Sequence, residues 1–212
     1  MTATLANDRV KRKITFALIA WLAVATACDR PTDGARIPVY ENPQIALVVL
    51  DVQKQVIAAS GRGMVAEAQI EPMLAALGKL VDAAKSNGVA VAFVRTDEYD
   101  EIDPRLSTVG GPVFAKSRRD AFSNPELEDF FRTRSIDHLV LAGASVDGSI
   151  AFTSVGARNR GYKVQVVADA VGSSSDARRD HTVRQLRQEG VEIVDTDRVL
   201  AEWQRRKLYL SR

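Results

Sequence analysis

Three polar side chains follow short apolar runs of the sequence, and together they have the chemistry needed for hydrolysis. Asp51 directly follows the run IALVVL, Lys116 lies in the segment VFAKSRRDAF, and Ser149 lies a short way beyond the run HLVLA. A carboxylate can act as a general base, an ammonium group can hold it ionised or stabilise developing negative charge, and a hydroxyl can attack when a base activates it. Each residue alone also fits an ordinary role, because aspartate and serine cap turns and helices and most lysines are solvated.

The segment that leads to Ser149 favours an anion-binding turn. It has the sequence GASVDGS and precedes a segment of helical character. A strand, a glycine-bearing turn and a helix start bring backbone N–H groups and the positive end of a helix dipole to one point. The phosphate-loop fingerprints G-x-G-x-x-G and G-x-x-x-x-G-K are absent, as is the G-x-S-x-G turn. A nucleotide-binding Rossmann module is therefore the weaker interpretation.

Short β-branched runs alternate with longer segments of helical spacing from residue 45 onwards, which predicts one α/β domain. We expect three α/β/α layers around a mostly parallel sheet, whose ligands bind at the carboxyl ends of the strands. A long polar loop over 96–111 is expected to border that site. The expected strands are 45–50, 89–94, 138–142, 163–168 and 191–194, and the expected helices are 67–86, 125–133, 148–159, 176–188 and 196–207, the last capped by Thr196.

The N-terminal residues have the pattern of a bacterial export signal. Basic residues at 11–13 precede the uncharged apolar run 14–27, which is short for a membrane-spanning helix. The ATAC sequence ending at Cys28 resembles a lipobox, although lipoboxes usually have Leu where Ala25 stands. Ordinary signal cleavage after the small residues AVA and a buried N-terminal helix are the alternatives.

These features divide the chain into a leader, a tether and one domain. We expect residues 1–28 to be a signal peptide with Cys28 as lipid acceptor, residues 29–44 to be a Pro-containing polar tether, and residues 45–205 to be the folded domain. The chain would then be exported, and either periplasmic or held at a membrane through its N-terminal lipid alone.

Composition excludes several kinds of site. The chain has one cysteine and two histidines, so an internal disulfide framework, a cysteine-clustered metal site and a histidine-rich metal site are all excluded. The 29 basic and 27 acidic residues give a net charge of +2, but residues 1–28 hold four of the basic residues and one acidic residue. The remainder has 25 basic and 26 acidic residues, a net charge of −1. No polybasic domain remains that would indicate a nucleic-acid partner.

The three motifs, in this order, resemble the isochorismatase-like superfamily of cysteine hydrolases. The resemblance covers about residues 44–200 and is strongest in ALVVLDVQ, in VFAKSRRDAF and in the stretch LVLAGASVDGSIAFTSVGARNRGYKVQVVADAVGSSS. It implies the Rossmann-like α/β fold of that superfamily, a small-molecule substrate, no cofactor and a homo-oligomer. In its amidase branch the triad is Asp, Lys and Cys. Carried over, Asp51 is the acid/base, Lys116 its charged partner, and the cysteine position falls on Ser149.

The same resemblance implies details of the turn before Ser149. The backbone N–H groups of Ser145 and Ser149 would form an oxyanion hole, and the peptide bond between Ala144 and Ser145 would be cis. Nicotinamidases of the superfamily bind a metal through Asp-x-His and a further His. The motif after the first strand here is Asp51-Val52-Gln53 with no histidine near it, so no metal is expected.

Replacement of the thiol by a hydroxyl leaves three hypotheses open. Isochorismatases lack the cysteine and cleave a vinyl ether, with the aspartate transferring a proton to the substrate. The chain is thus interpreted as an exported hydrolase of a vinyl ether, as one that uses Ser149 to cleave an amide or urea, or as an inactive small-molecule-binding or scaffold protein. A serine hydroxyl is far less acidic than a thiol, so the second hypothesis requires Asp51 to remove its proton during attack.

Other polar and aromatic residues are expected to have structural roles. Arg118, Arg119 and Asp120 are interpreted as a solvated charge cluster rather than a substrate clamp. His138 is expected to be structural and His181 to be solvated or to cap its helix. Trp203 and Phe130 are expected to pack in the core or an interface.

Overall fold

The computed structural model describes residues 44–57, 64–99, 101–106, 108 and 111–210, which form an α/β domain. Its sheet has six strands in the order β3-β2-β1-β4-β5-β6, and every paired neighbour is parallel. The predicted mostly parallel α/β fold is therefore confirmed. The strands are β1 (Gln44–Leu50), β2 (Ala90–Thr96), β3 (Val113–Lys116), β4 (Ile136–Gly143), β5 (Lys163–Val171) and β6 (Glu192–Val194).

Helices cover both faces of this sheet. Asn124 accepts a hydrogen bond from the Glu126 N–H at the start of α3, and Ser175 accepts one from the Arg178 N–H at the start of α5. The helices are α1 (Lys54–Ile57), α2 (Glu67–Ser86), α3 (Pro125–Thr133), α4 (Ala151–Asn159), α5 (Asp176–Gln188) and α6 (Thr196–Leu210). A short 3-10 helix, Ala121–Ser123, precedes α3, and a π-type turn, Val146–Ile150, precedes α4.

Strand β1 is buried on both faces because successive side chains point to opposite sides. Leu47 and Val49 pack with Leu77 of α2 and Trp203 of α6 in one apolar cluster. The alternate residues of β1 pack in a second cluster on the other face, with residues of α3, α4 and α5. Trp203 thus has the core position expected from the sequence.

The centre of the sheet positions the strand ends that bear the candidate site. Strand β1 pairs with β2 on one side and β4 on the other, with Leu50 opposite Val94 and Gly143. The chain order therefore reverses at β1, and such a point is where parallel α/β sheets open a crevice for ligands. Asp51 follows β1 directly at this crevice.

The structure differs from the sequence prediction at several places. Strand β3 occupies part of a segment for which no strand was predicted, and no helix was predicted at α1. Helix α4 begins at Ala151 rather than at residue 148, because Gly148 has non-helical angles. Thr196 does not cap α6: the Asp195 carboxylate accepts from the Arg198 N–H at 2.8 Å, and the Thr196 hydroxyl is buried without a hydrogen bond to a described residue.

The expected leader with Cys28, and the tether up to residue 43, lie outside the described residues. Within the described ranges, no helix has the length and apolar character to cross a membrane.

Candidate active site

The side chains of Asp51, Lys116 and Ser149 meet at the carboxyl end of the sheet. The Lys116 ammonium group lies 2.9 Å from Asp51 Oδ2 and donates to Ser149 Oγ at 3.0 Å. The Ser149 hydroxyl in turn donates to Asp51 Oδ2. All three are buried, with 6%, 3% and 7% of their surface exposed in chain order. Each group thus contacts the other two away from bulk water.

The backbone after β1 holds Asp51 in a left-handed conformation, with φ at 52°. Aspartate tolerates that region better than most residues, and its N–H donates to the Val94 carbonyl at 2.8 Å. The neighbouring strand passes very close, since a Cβ on Gly143 would lie 2.2 Å from the Leu50 carbonyl oxygen. Only glycine fits there, so Gly143 fixes where Asp51 leaves the sheet.

Lys116 is the last residue of the edge strand β3, where it pairs with Thr96 of β2. One strand, β2, therefore lies between Lys116 and Asp51, and the Lys116 side chain reaches across it. A buried ammonium group requires a partner, and removal of one member of such a pair leaves an uncompensated charge. Asp51 is the only carboxylate that forms an ion pair with Lys116 among the described residues.

Ser149 lies in the turn between β4 and α4. A Cβ on Gly148 would lie 2.8 Å from the Ser145 hydroxyl, so the turn is packed around that glycine. The peptide bond between Ala144 and Ser145 is cis, as the resemblance implies. The Ser145 N–H donates to no backbone oxygen of the described residues. That this N–H and the N-terminal end of α4 bind an oxyanion stays a prediction.

Burial raises the pKa of the Asp51 carboxyl above its ordinary value. The positive charge of Lys116, the hydrogen bonds from Ser149 and Lys116 and, least of all, the nearby Thr96 backbone N–H oppose this effect without cancelling it. The second oxygen, Oδ1, is buried and makes no hydrogen bond with the described residues. Asp51 therefore has one oxygen engaged by Ser149 and Lys116 and one left for another proton-bearing group.

A cleft of about 590 Å³ opens onto these three side chains. Thr96, Glu98 and Tyr99 form one wall, which confirms that the loop after β2 borders the site. Such a volume suits a small molecule rather than a polymer.

Arginine side chains line another part of the cleft. Arg118 and Arg119 are exposed, as expected, but they border the cleft together with Arg178. Asp120 departs from the prediction of a solvated cluster: its carboxylate accepts from the Phe122 N–H at 3.0 Å, and a Cβ on Gly156 would lie 2.4 Å from it. Asp120 thus caps the 3-10 helix and packs against α4 at Gly156, while the Ala121 N–H donates to the Thr153 hydroxyl of α4 at 3.0 Å.

Gln53 is a positioning residue that the sequence prediction missed. Its side chain is fully buried, accepts from the Thr96 N–H at 2.9 Å, and donates to the carbonyl oxygens of Thr96 and Tyr99. It therefore holds the cleft wall against β1. Its place two residues after Asp51 was the available signal, but the contacts depend on a loop whose path the sequence does not specify.

Neither histidine lines the cleft. His138 is at the opposite end of β4, where burial lowers its pKa. His181 lies within α5 and lines a neighbouring groove with Phe152 and Val155, which shares Asp147 and Arg178 with the cleft. In the described part of the chain, no group of three His, Cys, Asp or Glu residues is placed to hold a metal ion.

The domain is therefore a parallel α/β domain with a buried aspartate, lysine and serine in contact with one another, at the point where the strand order of the sheet reverses. The family model for the isochorismatase domain matches residues 45–198, and the chain belongs to that family. It is 26% identical over 128 residues to isochorismatase domain-containing protein 2 of Xenopus laevis, a match that covers 58% of this chain and 62% of that protein. The match thus spans less than two thirds of that relative.

Solved structures show the same fold. An isochorismatase family protein from Desulfovibrio vulgaris has a TM-score of 0.68 at 22% identity, over 76% of this chain and 100% of that chain. A cysteine hydrolase from Pseudomonas syringae has a TM-score of 0.70 at 17% identity, over 77% and 93%. The nicotinamidase from Staphylococcus aureus has a TM-score of 0.63 at 20% identity, over 72% and 98%.

Proposed function

We propose that this chain hydrolyses a small amide or urea with Ser149 as nucleophile, Asp51 as general base and acid, and Lys116 as their charged partner. The observation that carries the proposal is the Ser149 hydroxyl, which donates to Asp51 and accepts from Lys116 at the bottom of the cleft. A nucleophile within hydrogen-bond reach of a base, itself held by a third group, is the arrangement that covalent hydrolysis needs.

The reaction follows from these contacts. As Ser149 Oγ attacks the carbonyl carbon, its proton passes to Asp51, and the oxyanion accepts from the N–H groups of Ser145 and Ser149. The C–N bond then breaks, and Asp51 returns the proton to the leaving nitrogen. Water then attacks the acyl carbon of the resulting ester (from an amide) or carbamate (from a urea) of Ser149 and gives a proton to Asp51. The bond between Oγ and the acyl carbon breaks, the acid leaves, and Asp51 returns the proton to Ser149 Oγ. Lys116 stabilises the negative charge on Oγ and on Asp51 in turn.

A vinyl ether is the second candidate substrate class, and the state of Asp51 favours it. A raised pKa increases the protonated fraction of this carboxyl, and Oδ1 is not held by another group of the described residues. A protonated Asp51 would transfer its proton to the substrate, and Ser149 would then only orient the carboxyl. The third possibility, an inactive binding protein, predicts ligand binding without turnover.

A panel of small amides, ureas and vinyl ethers tests the proposal. We expect turnover by the full chain, and a loss of about 100-fold or more in kcat/KM for Asp51→Asn, the scale of general acid–base catalysis. Asp97→Asn is the matched control, because Asp97 is an exposed carboxylate at the end of β2 outside the cleft lining. Ligand binding with no turnover on any class would instead identify a binding protein.

A further inference from the structure

On the side of the domain opposite the cleft, the end of α6 contacts the first residue of β1 and the end of α2. Arg206 donates to the side-chain oxygen of Gln44 at 3.2 Å, and Lys207 donates to the Ser86 carbonyl at 2.7 Å. Because the cleft lies at the carboxyl ends of the strands, this surface at their amino ends faces the other way. We call it the basal pole, and it consists of Gln44, Lys85, Arg134 and residues 205–210.

Basic side chains dominate the basal pole. Lys85 and Arg134 are exposed and line a groove of about 550 Å³ together with Gln44. Lys85 and Arg134 form no ion pair with a described residue, and the same holds for Arg205, Arg206 and Lys207. Nearby acids are the exposed Asp82 of α2, the buried Asp137 of β4, and Glu192 and Glu202, both of which form ion pairs with Arg198.

Helix dipoles explain part of this charge, because basic residues are favourable at helix carboxyl ends. They do not explain the three apolar residues that follow. Leu208, Tyr209 and Leu210 are 59%, 72% and 52% exposed, whereas α6 buries Val199 and Trp203 further up. Consecutive exposed apolar side chains beside a basic surface are typical of a segment that contacts the interface of a bilayer.

The covalent path of the chain leads to the same pole. Everything before Gln44 joins the domain here, including the uncharged apolar run 14–27 and Cys28. The fifteen residues 29–43 span at most about 50 Å when fully extended. If the leader or a lipid on Cys28 is in a membrane, this link keeps the basal pole at high effective concentration near the headgroups.

We propose that the basal pole lies against the headgroups of a bilayer that contains anionic phospholipid. Lys85, Arg134 and Lys207 would contact the phosphates, and Leu208, Tyr209 and Leu210 would enter the interface. The active-site cleft would then open away from the membrane. This inference does not depend on the hydrolytic chemistry proposed above.

Hydrogen exchange of the full-length chain on vesicles tests the proposal. The leader is expected to hold the chain on any vesicle, so the readout is local: the exchange rate of the segment 204–210. We expect it to slow several-fold on vesicles of phosphatidylcholine with phosphatidylglycerol, less at high salt, and little on phosphatidylcholine alone. Segment 176–184 should be unchanged.

Two charge-reversal variants of equal charge complete the experiment. Lys85→Glu/Lys207→Glu should abolish the slowing, and Lys79→Glu/Arg184→Glu, which alters exposed residues elsewhere on α2 and α5, should retain it. Equal exchange of 204–210 on both vesicle types would overturn the proposal. Protection that needs no vesicle and increases with protein concentration would also overturn it, and would assign the surface to a second copy of the chain.

Discussion

A serine hydroxyl gives up its proton much less readily than a thiol, so the chemistry of this site depends on Asp51. Burial raises the pKa of Asp51, which makes it a stronger base than an exposed carboxylate, while Lys116 keeps an ionised fraction available. The Ser149 hydroxyl already donates a hydrogen bond to this carboxylate, which is the contact that transfer of its proton requires.

The pH dependence of kcat/KM distinguishes the two candidate reactions. For amide or urea cleavage Asp51 must be ionised, so activity should fall as pH decreases through its pKa, at a higher pH than an ordinary carboxyl with a pKa of about 4 would give. For vinyl-ether cleavage Asp51 must be protonated, and activity should fall as pH increases. The profile of Asp97→Asn should match that of the unaltered chain. A profile that is flat across the range of carboxyl titration would contradict a role for Asp51 in either reaction.

The sequence predicts only part of the contact among Asp51, Lys116 and Ser149. Asp51 and Ser149 follow apolar runs, so their place at one sheet edge is predictable from strand ends. Lys116 was a weak candidate on its own, and its pairing with Asp51 was implied by the resemblance, because the four residues of β3 are too few to show a period. Gln53 was missed because its partners belong to a loop whose turns the sequence pattern does not specify.

Among the secondary-structure elements, the close packing of β1 against β4 determines where Asp51 lies. Gly143 has a φ of 120°, and an added Cβ would meet the backbone of Leu50. Helix α4 contributes its start rather than its length, because the non-helical Gly148 lies just before Ser149, and Ser149 and Ile150 then lead into the regular helix. The sequence predicted a continuous helix there, since a glycine within a helical pattern gives no sign of the break.

Two glycine-to-alanine changes test this packing. Gly143→Ala should lower the free energy of unfolding by about 3 kcal/mol or more, from strain and a backbone clash. Gly78→Ala, in the interior of α2 with nothing within 4 Å of the added atom, should raise it by up to about 1 kcal/mol. Denaturant unfolding of the two variants provides the comparison. Equal effects of both changes would show that β1 and β4 are not as close as described.

For the molecule as a whole, the N-terminal segment holds both the one cysteine and the source of the positive net charge. The one cysteine of the chain lies at residue 28, and without residues 1–28 the net charge changes from +2 to −1. We propose that the chain is exported and anchored by lipid on Cys28, and that it assembles as a homo-oligomer.

The fate of Cys28 in a bacterial host tests the anchoring. The chain should be recovered in the membrane fraction, with a mass that corresponds to an acylated N-terminus at Cys28, and Cys28→Ser should release the mature chain from the membrane or leave the leader uncleaved. Release of an unmodified chain that begins at Thr26 would instead show ordinary signal cleavage.

The covalent state of Ser149 during turnover tests directly whether this residue is the nucleophile. The chain is quenched while it cleaves a small amide or the corresponding activated ester, and its peptides are weighed. We expect one acyl group on the peptide that contains Ser149 and no acyl group on the same peptide of Ser149→Ala. The acyl group should be retained in Ser117→Ala, which removes another hydroxyl that lines the same cleft. Undiminished turnover by Ser149→Ala, with no adduct on the unaltered chain, would contradict a nucleophilic role of Ser149.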